Sequence, residues 1–191
     1  ISDFLGLSMA EAVKIRKTYY RDHGTTLNGL MTLHGLEPGD YLDFVHDIDL
    51  GVIFPNLGLD RSLSRLAGRK IIFTNGPMDH AERVLERISI RHHFDAVFDI
   101  TRADYVPKPE PKIYHALVER YGLTPSKTVM VEDLARNLEP AAALGMTTVL
   151  VCPKGDIESQ IDREIDGAGK NIDHVVEDLS QWLGALTAPS Y

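Results

Sequence analysis

The sequence predicts an α/β protein: a Rossmann-like, doubly wound parallel sheet with a small all-helical unit in front of it. Two observations carry this. Up to Gly51 the periodic signals are helical, and from Lys70 onward short apolar runs alternate with amphipathic stretches. Strands alternating with helices of this length build parallel sheets, because each return to the same end of the sheet needs a crossover. The 191 residues divide accordingly into a helical unit, 1–54, and a core, 55–191.

Element by element, Ile1 to Gly6 reads as a helix already under way. Ser8 with Glu11 forms a capping-box pattern ahead of Ala12, Val13, Ile15 and Tyr19, and the helix should break at His23-Gly24. Thr25 or Thr26 can cap a second helix through Leu27, Leu30, Met31 and Leu33, ended by Gly35. Pro38-Gly39-Asp40 opens a third, through Leu42 and Val45, and a linker containing Pro55 follows. Strands are predicted at Lys70–Thr74, Ala96–Ile100, Thr128–Glu132, Thr147–Val151 and His174–Val176. Helices are predicted at Asp79–Arg87, Glu110–Tyr121, Leu138–Leu144 and Leu179–Leu186, with Trp182 as a packing residue on the last. The charged stretch Asp156 to Lys170 reads as a surface helix and loop.

Composition narrows the function classes. A formal net charge of −8 and a pI near 5.4 argue against a nucleic-acid-binding surface, which is usually basic. An anionic small molecule remains compatible, since a local cation or metal can reverse the sign of a cleft. Cys152 stands alone and can form no internal disulfide, which favours a reducing compartment and hence the cytoplasm. No apolar run approaches the roughly 20 residues needed to span a bilayer, so no membrane partner is expected. The chain assigns itself no oligomeric state.

Ligands of doubly wound sheets sit beyond the carboxyl ends of the strands. Three such ends carry complementary groups. Thr74 offers a hydroxyl, and Asn75-Gly76 a tight turn whose N–H groups can bind a phosphate oxygen. Lys108, between Pro107 and Pro109, offers a cation expected to be exposed. Glu132-Asp133 offers paired carboxylates suited to Mg²⁺. Each also has an ordinary reading, as a turn, a solvated loop residue or a helix cap; the three together, each after its own strand, describe a phosphoryl-transfer site.

The runs IIFTNG (Ile71 to Gly76), KPEPKIY (Lys108 to Tyr114) and VMVEDLARNLEPAAALGMTTVLV (Val129 to Val151) resemble the second, third and fourth motifs of the haloacid dehalogenase superfamily. With YYRDHGTTLNGLM, FVHDIDL and FDITRADYVPKP, the chain looks like that superfamily's pyrimidine 5′-nucleotidase branch, and the helical unit like its inserted cap. The resemblance implies that Thr74 and the Asn75 amide bind the transferring phosphoryl group. It implies that Lys108 stabilises the nucleophile, and that Asp133 ligates Mg²⁺ with Glu132 in support.

The family's first motif, Asp-x-Asp-x-Thr after a strand, supplies the nucleophile and the general acid–base. It precedes the cap, and nothing in the sequence precedes the cap. Asp47-Ile48-Asp49 has the spacing but lacks the apolar strand. The expectation is a chain lacking its N-terminal portion and inactive as it stands. The strand of the first motif would lie between the runs 70–74 and 128–132, which should therefore sit about 9–10 Å apart rather than as neighbours.

Other residues have competing readings. Arg21, His23 and Thr25 at the first cap break could contact a substrate, Tyr20 could help to hold a base or ribose, and Asn137 could orient the metal shell. His46, Asp47 and Asp49 resemble a metal cluster but read better as a return linker, and His92-His93 as a solvated turn. The leading function is a Mg²⁺-dependent phosphomonoesterase for a small nucleotide, a pyrimidine 5′-monophosphate favoured. The alternatives are a phosphatase for a sugar phosphate or other small metabolite, and a non-catalytic binding or regulatory fragment.

Overall fold

A computed structural model describes residues 1–153 and 171–186, with the side chain of Asp3 excepted. The predicted surface segment Asp156 to Lys170 lies outside those residues. The helical unit opens with α1 (Ser2–Leu5) and α2 (Met9–His23). The capping box forms as expected: the Glu11 N–H donates to Ser8 Oγ while the Glu11 carboxylate accepts from the Ser8 N–H. Thr25 is the cap of α3 (Thr26–His34), accepting from the Asn28 N–H, and Gly35 ends it in the left-handed region. α4 (Pro38–His46) completes the unit. Helices α2 and α3 meet where Gly29 faces Tyr19, so closely that a Cβ on Gly29 would lie 2.6 Å from the tyrosine ring.

The core runs through α5 (Leu57–Arg65), β1 (Ile71–Phe73), α6 (Met78–Arg87), β2 (Ala96–Phe98), α7 (Pro111–Tyr121), β3 (Val129–Glu132), α8 (Glu139–Ala143), β4 (Thr147–Val151), β5 (His174–Val176) and α9 (Leu179–Leu186). Helix α5 lies where the sequence reads as linker. Its formation rests on long-range packing: Leu59 and Leu63 join Leu85, Ile90, Val97, Trp182 and Leu183 in one cluster, and Ser62 donates to the Ser180 carbonyl. Local signals alone do not contain that contact.

All strand pairs are parallel, in two sets: β1 with β2, and β3-β4-β5 in that order. Strand β1 is covered on both faces, with Ile71 and Phe73 against the cluster containing Phe98, Tyr114, Leu138 and Leu150 and Ile72 against the one containing Val97. Strand β3 differs. Met130 and Glu132 are buried, whereas Val129 and Val131 are 53% and 38% exposed, so β3 is not buried on both faces as its apolar sequence suggests. Among the described residues, strands β1 and β3 do not hydrogen bond to each other. Tyr114 of α7 packs edge-on against Phe73 of β1 and donates to the Asn137 carbonyl beyond β3. No helix among the described residues is long and apolar enough to cross a membrane.

Candidate active site

The carboxyl ends of β1 and β3 are joined by Lys108. Its ammonium donates to the Phe73 carbonyl at 2.9 Å and to Glu132 Oε1, and lies 4.9 Å from the Phe73 ring centre. The side chain is therefore buried, not exposed as expected from a loop lysine between prolines. Asn75 fixes its backbone: the Lys108 N–H donates to Asn75 Oδ1 at 2.8 Å, and Asn75 Nδ2 donates back to the Lys108 carbonyl. Thr74 follows directly on β1, held by its own N–H on the Phe98 carbonyl, with Thr74 Oγ1 accepting the Gly76 N–H. Asp99 is fully buried and ties this region together, accepting from the Met78 N–H at the start of α6 and from Thr101 and Arg102 in the loop leading to Lys108.

Glu132 was expected to sit beside a metal. Both of its oxygens are occupied instead, Oε1 by Lys108 and Asn137 Nδ2, Oε2 by the N–H groups of Asp133 and Leu134. It acts as an internal brace, and the outward carboxylate of the pair is that of the exposed Asp133. Burial pushes the Glu132 carboxyl above the usual carboxylate range, and the Lys108 ammonium pulls against that shift. Asn137 Oδ1, beside the acidic pair, is a buried acceptor without a donor among the described residues. An ordered water or a hydrated cation there would complete it.

Thr74, Asn75, Gly76, Lys108, Glu132 and Asp133 thus lie around one strand-end region, whereas Arg21 and His23 line a neighbouring cleft of about 480 Å³ with Gly24, Asn28, Pro109 and Arg136. Thr25 is spent on capping α3, and the Arg21 guanidinium is held by Asp22 at 2.6 Å. The two places adjoin at Gly24, where a Cβ would lie 3.4 Å from the Pro107 ring and 3.6 Å from the Lys108 carbonyl.

Sequence reasoning missed two features of this region. Arg136 stacks its guanidinium 4.1 Å above the Tyr20 ring, bringing a cation to the cleft; only its position three residues after Asp133 hinted at that. His46 at the end of α4 lies over the Gly76 turn and against His80, ring centres 4.5 Å apart. Burial holds the His80 pKa below the ordinary imidazole value, with His46 and Arg83 adding to the effect. His46, Asp47 and Asp49 do not form a metal cluster among the described residues; the Asp49 carboxylate accepts the Gly51 N–H instead.

The match to the family model of haloacid dehalogenase-like hydrolases spans residues 17–145, more than half of the chain. The protein belongs to that family, and its core is the family's parallel α/β fold. Among curated proteins it is 37% identical to the fructose-1-phosphate phosphatase YqaB of Escherichia coli (strain K12) over 71 residues, 36% of either chain. It is 29% identical over 101 residues to bifunctional epoxide hydrolase 2 of Rattus norvegicus, covering 51% of this chain and 18% of that protein. The chain spans less than a fifth of the epoxide hydrolases it matches. In fold it is similar to the HAD phosphatase of Thermococcus onnurineus (TM-score 0.61, 22% identity, covering 97% of this chain and 84% of that one). It is also similar to the L-2-haloacid dehalogenase of Xanthobacter autotrophicus (TM-score 0.58, 21% identity, 86% and 74% covered).

Proposed function

We propose that this hydrolase is a Mg²⁺-dependent phosphomonoesterase acting on a small nucleotide, a pyrimidine 5′-monophosphate favoured, through an aspartyl-phosphate. The observation that supports it most is the position of Lys108 between the ends of β1 and β3, with Thr74 on one side and Asp133 on the other. In this reading residues 1–54 are the cap, Thr74 Oγ1 and the Asn75 and Gly76 N–H groups receive phosphoryl oxygens, and Asp133 holds the metal. The orphan acceptor Asn137 Oδ1 and the outward Asp133 carboxylate suit a hydrated hard cation, which takes few protein carboxylates and keeps several waters. Bound there, Mg²⁺ would supply neutralisation of the phosphate charge. The nucleophilic carboxylate of this reading belongs on a strand between β1 and β3, next to Lys108.

A second reading, a phosphatase for a sugar phosphate, draws support from the likeness to the fructose-1-phosphate phosphatase. Phosphate release by the full-length gene product from a panel of nucleoside monophosphates and sugar phosphates, with and without Mg²⁺, separates the two. Highest kcat/KM on a pyrimidine nucleotide is expected, and Asp133→Asn should lower Mg²⁺ affinity and turnover together. Unchanged turnover of that variant at low Mg²⁺ removes Asp133 from the metal site.

A further inference from the structure

At the opposite end of the sheet from Lys108, where the chain enters β2, three ligand-type atoms converge. His93 Nε2 lies 2.8 Å from Asp60 Oδ1, and His92 Nε2 lies 3.1 Å from the same oxygen. All three atoms fall within 4.8 Å of one another. The solvated turn that the sequence suggests holds for His92, with 66% side-chain exposure, but not for His93, which retains only 10%; Asp60 retains 30%.

The supports of this trio are rigid. Asp60 sits on α5 between Leu59 and Leu63, and the histidines sit between Ile90 and Phe94; all four flanking residues belong to one apolar cluster. The neighbouring cation, Arg91, is already engaged by Glu82 and the Phe94 carbonyl, which limits its opposition to a second positive charge.

We propose that Asp60, His92 and His93 form a binding site for a borderline divalent cation of the Zn²⁺ class, separate from the site at Asp133. Two imidazole nitrogens and one carboxylate oxygen select Zn²⁺, Co²⁺ or Ni²⁺ over Mg²⁺, which prefers oxygen alone. The geometry is close to what such an ion needs. Arms of about 2.0–2.2 Å in a tetrahedron put ligand atoms roughly 3.3–3.5 Å apart. From 3.1 Å and 2.8 Å, the separation from Asp60 must open by about 0.2–0.4 Å at His92 and about 0.5–0.7 Å at His93. The ion would bind both imidazoles through Nε2 with each ring's single proton on Nδ1, leave a fourth position for water, and staple α5 to the turn that opens β2.

The test is calorimetric titration of the full-length gene product with Zn²⁺ under saturating Mg²⁺, after chelator treatment. One Zn²⁺ per chain is expected. His93→Ala and Asp60→Asn should each weaken binding by about tenfold or more, and Asp133→Asn should leave it unchanged. His92→Ala guards against a folding artefact, because this exposed side chain contributes little to packing; it too should weaken binding about tenfold or more. Absence of binding, or affinity unchanged in His92→Ala and Asp60→Asn, overturns the site.

Discussion

Lys108 is asked to hold a charge in a buried place, and Glu132 is what makes that tolerable. A lone ammonium or carboxylate out of water costs several kcal/mol, and the pair is stable only because each partner also keeps further hydrogen bonds. This changes what the residue's removal should do. Read as a loop lysine, Lys108→Ala would affect activity and barely affect folding. With Glu132 left buried and unpaired, it should instead lower the stability of the full-length gene product by about 3–5 kcal/mol in urea or thermal unfolding. Adding Glu132→Gln should restore a good part of that loss. A single variant as stable as the parent would mean that the pair is open to solvent in solution.

At the scale of elements, the helical unit was legible because its signals are local. Ser8-Glu11, Thr25, Gly35 and Pro38 act within one turn of where they stand, and α2 to α4 begin and end at them. The strands at Thr147–Val151 and His174–Val176 match their apolar runs residue for residue. What escaped was decided by distant partners. Helix α5 depends on α9, more than a hundred residues later, and the burial of Lys108 and His93 depends on Glu132 and Asp60. The Thr74, Lys108 and Asp133 constellation was visible since parallel topology sends every strand's carboxyl end to the same side. That Glu132 braces rather than faces outward was not, because the groups that hold it, Lys108 and Asn137, come from other segments of the chain. A test at this scale is Gly29→Ala. Its Cβ would meet Tyr19 at 2.6 Å, so α2 and α3 must separate, and a loss of about 1–3 kcal/mol is expected in thermal unfolding of the full-length gene product. An unchanged Tm would show the helix pair to be loosely packed.

For the whole molecule, the two strand sets share an apolar core, with Phe73 and Leu150 in the same cluster, but no backbone ladder. Strands β1 and β3 each carry a ladder on one side only, and any backbone group left unpaired on the other side costs about 1–3 kcal/mol where buried. Against a usual total of roughly 5–15 kcal/mol, a few such groups suffice to loosen a domain. The 191-residue polypeptide on its own should thus be insoluble, or bind ANS and lose near-UV ellipticity without a sharp transition. A single cooperative unfolding transition would show that the missing ladder between β1 and β3 is tolerated. The nearness of Gly24 to the Lys108 carbonyl has a different reach. The turn that borders the cleft at His23 stands next to the backbone that carries the ammonium. In a phosphatase of the proposed kind, discrimination and speed then become one mechanical variable: altering the α2–α3 turn would shift kcat and KM in concert, and selectivity could be retuned only at the expense of tempo.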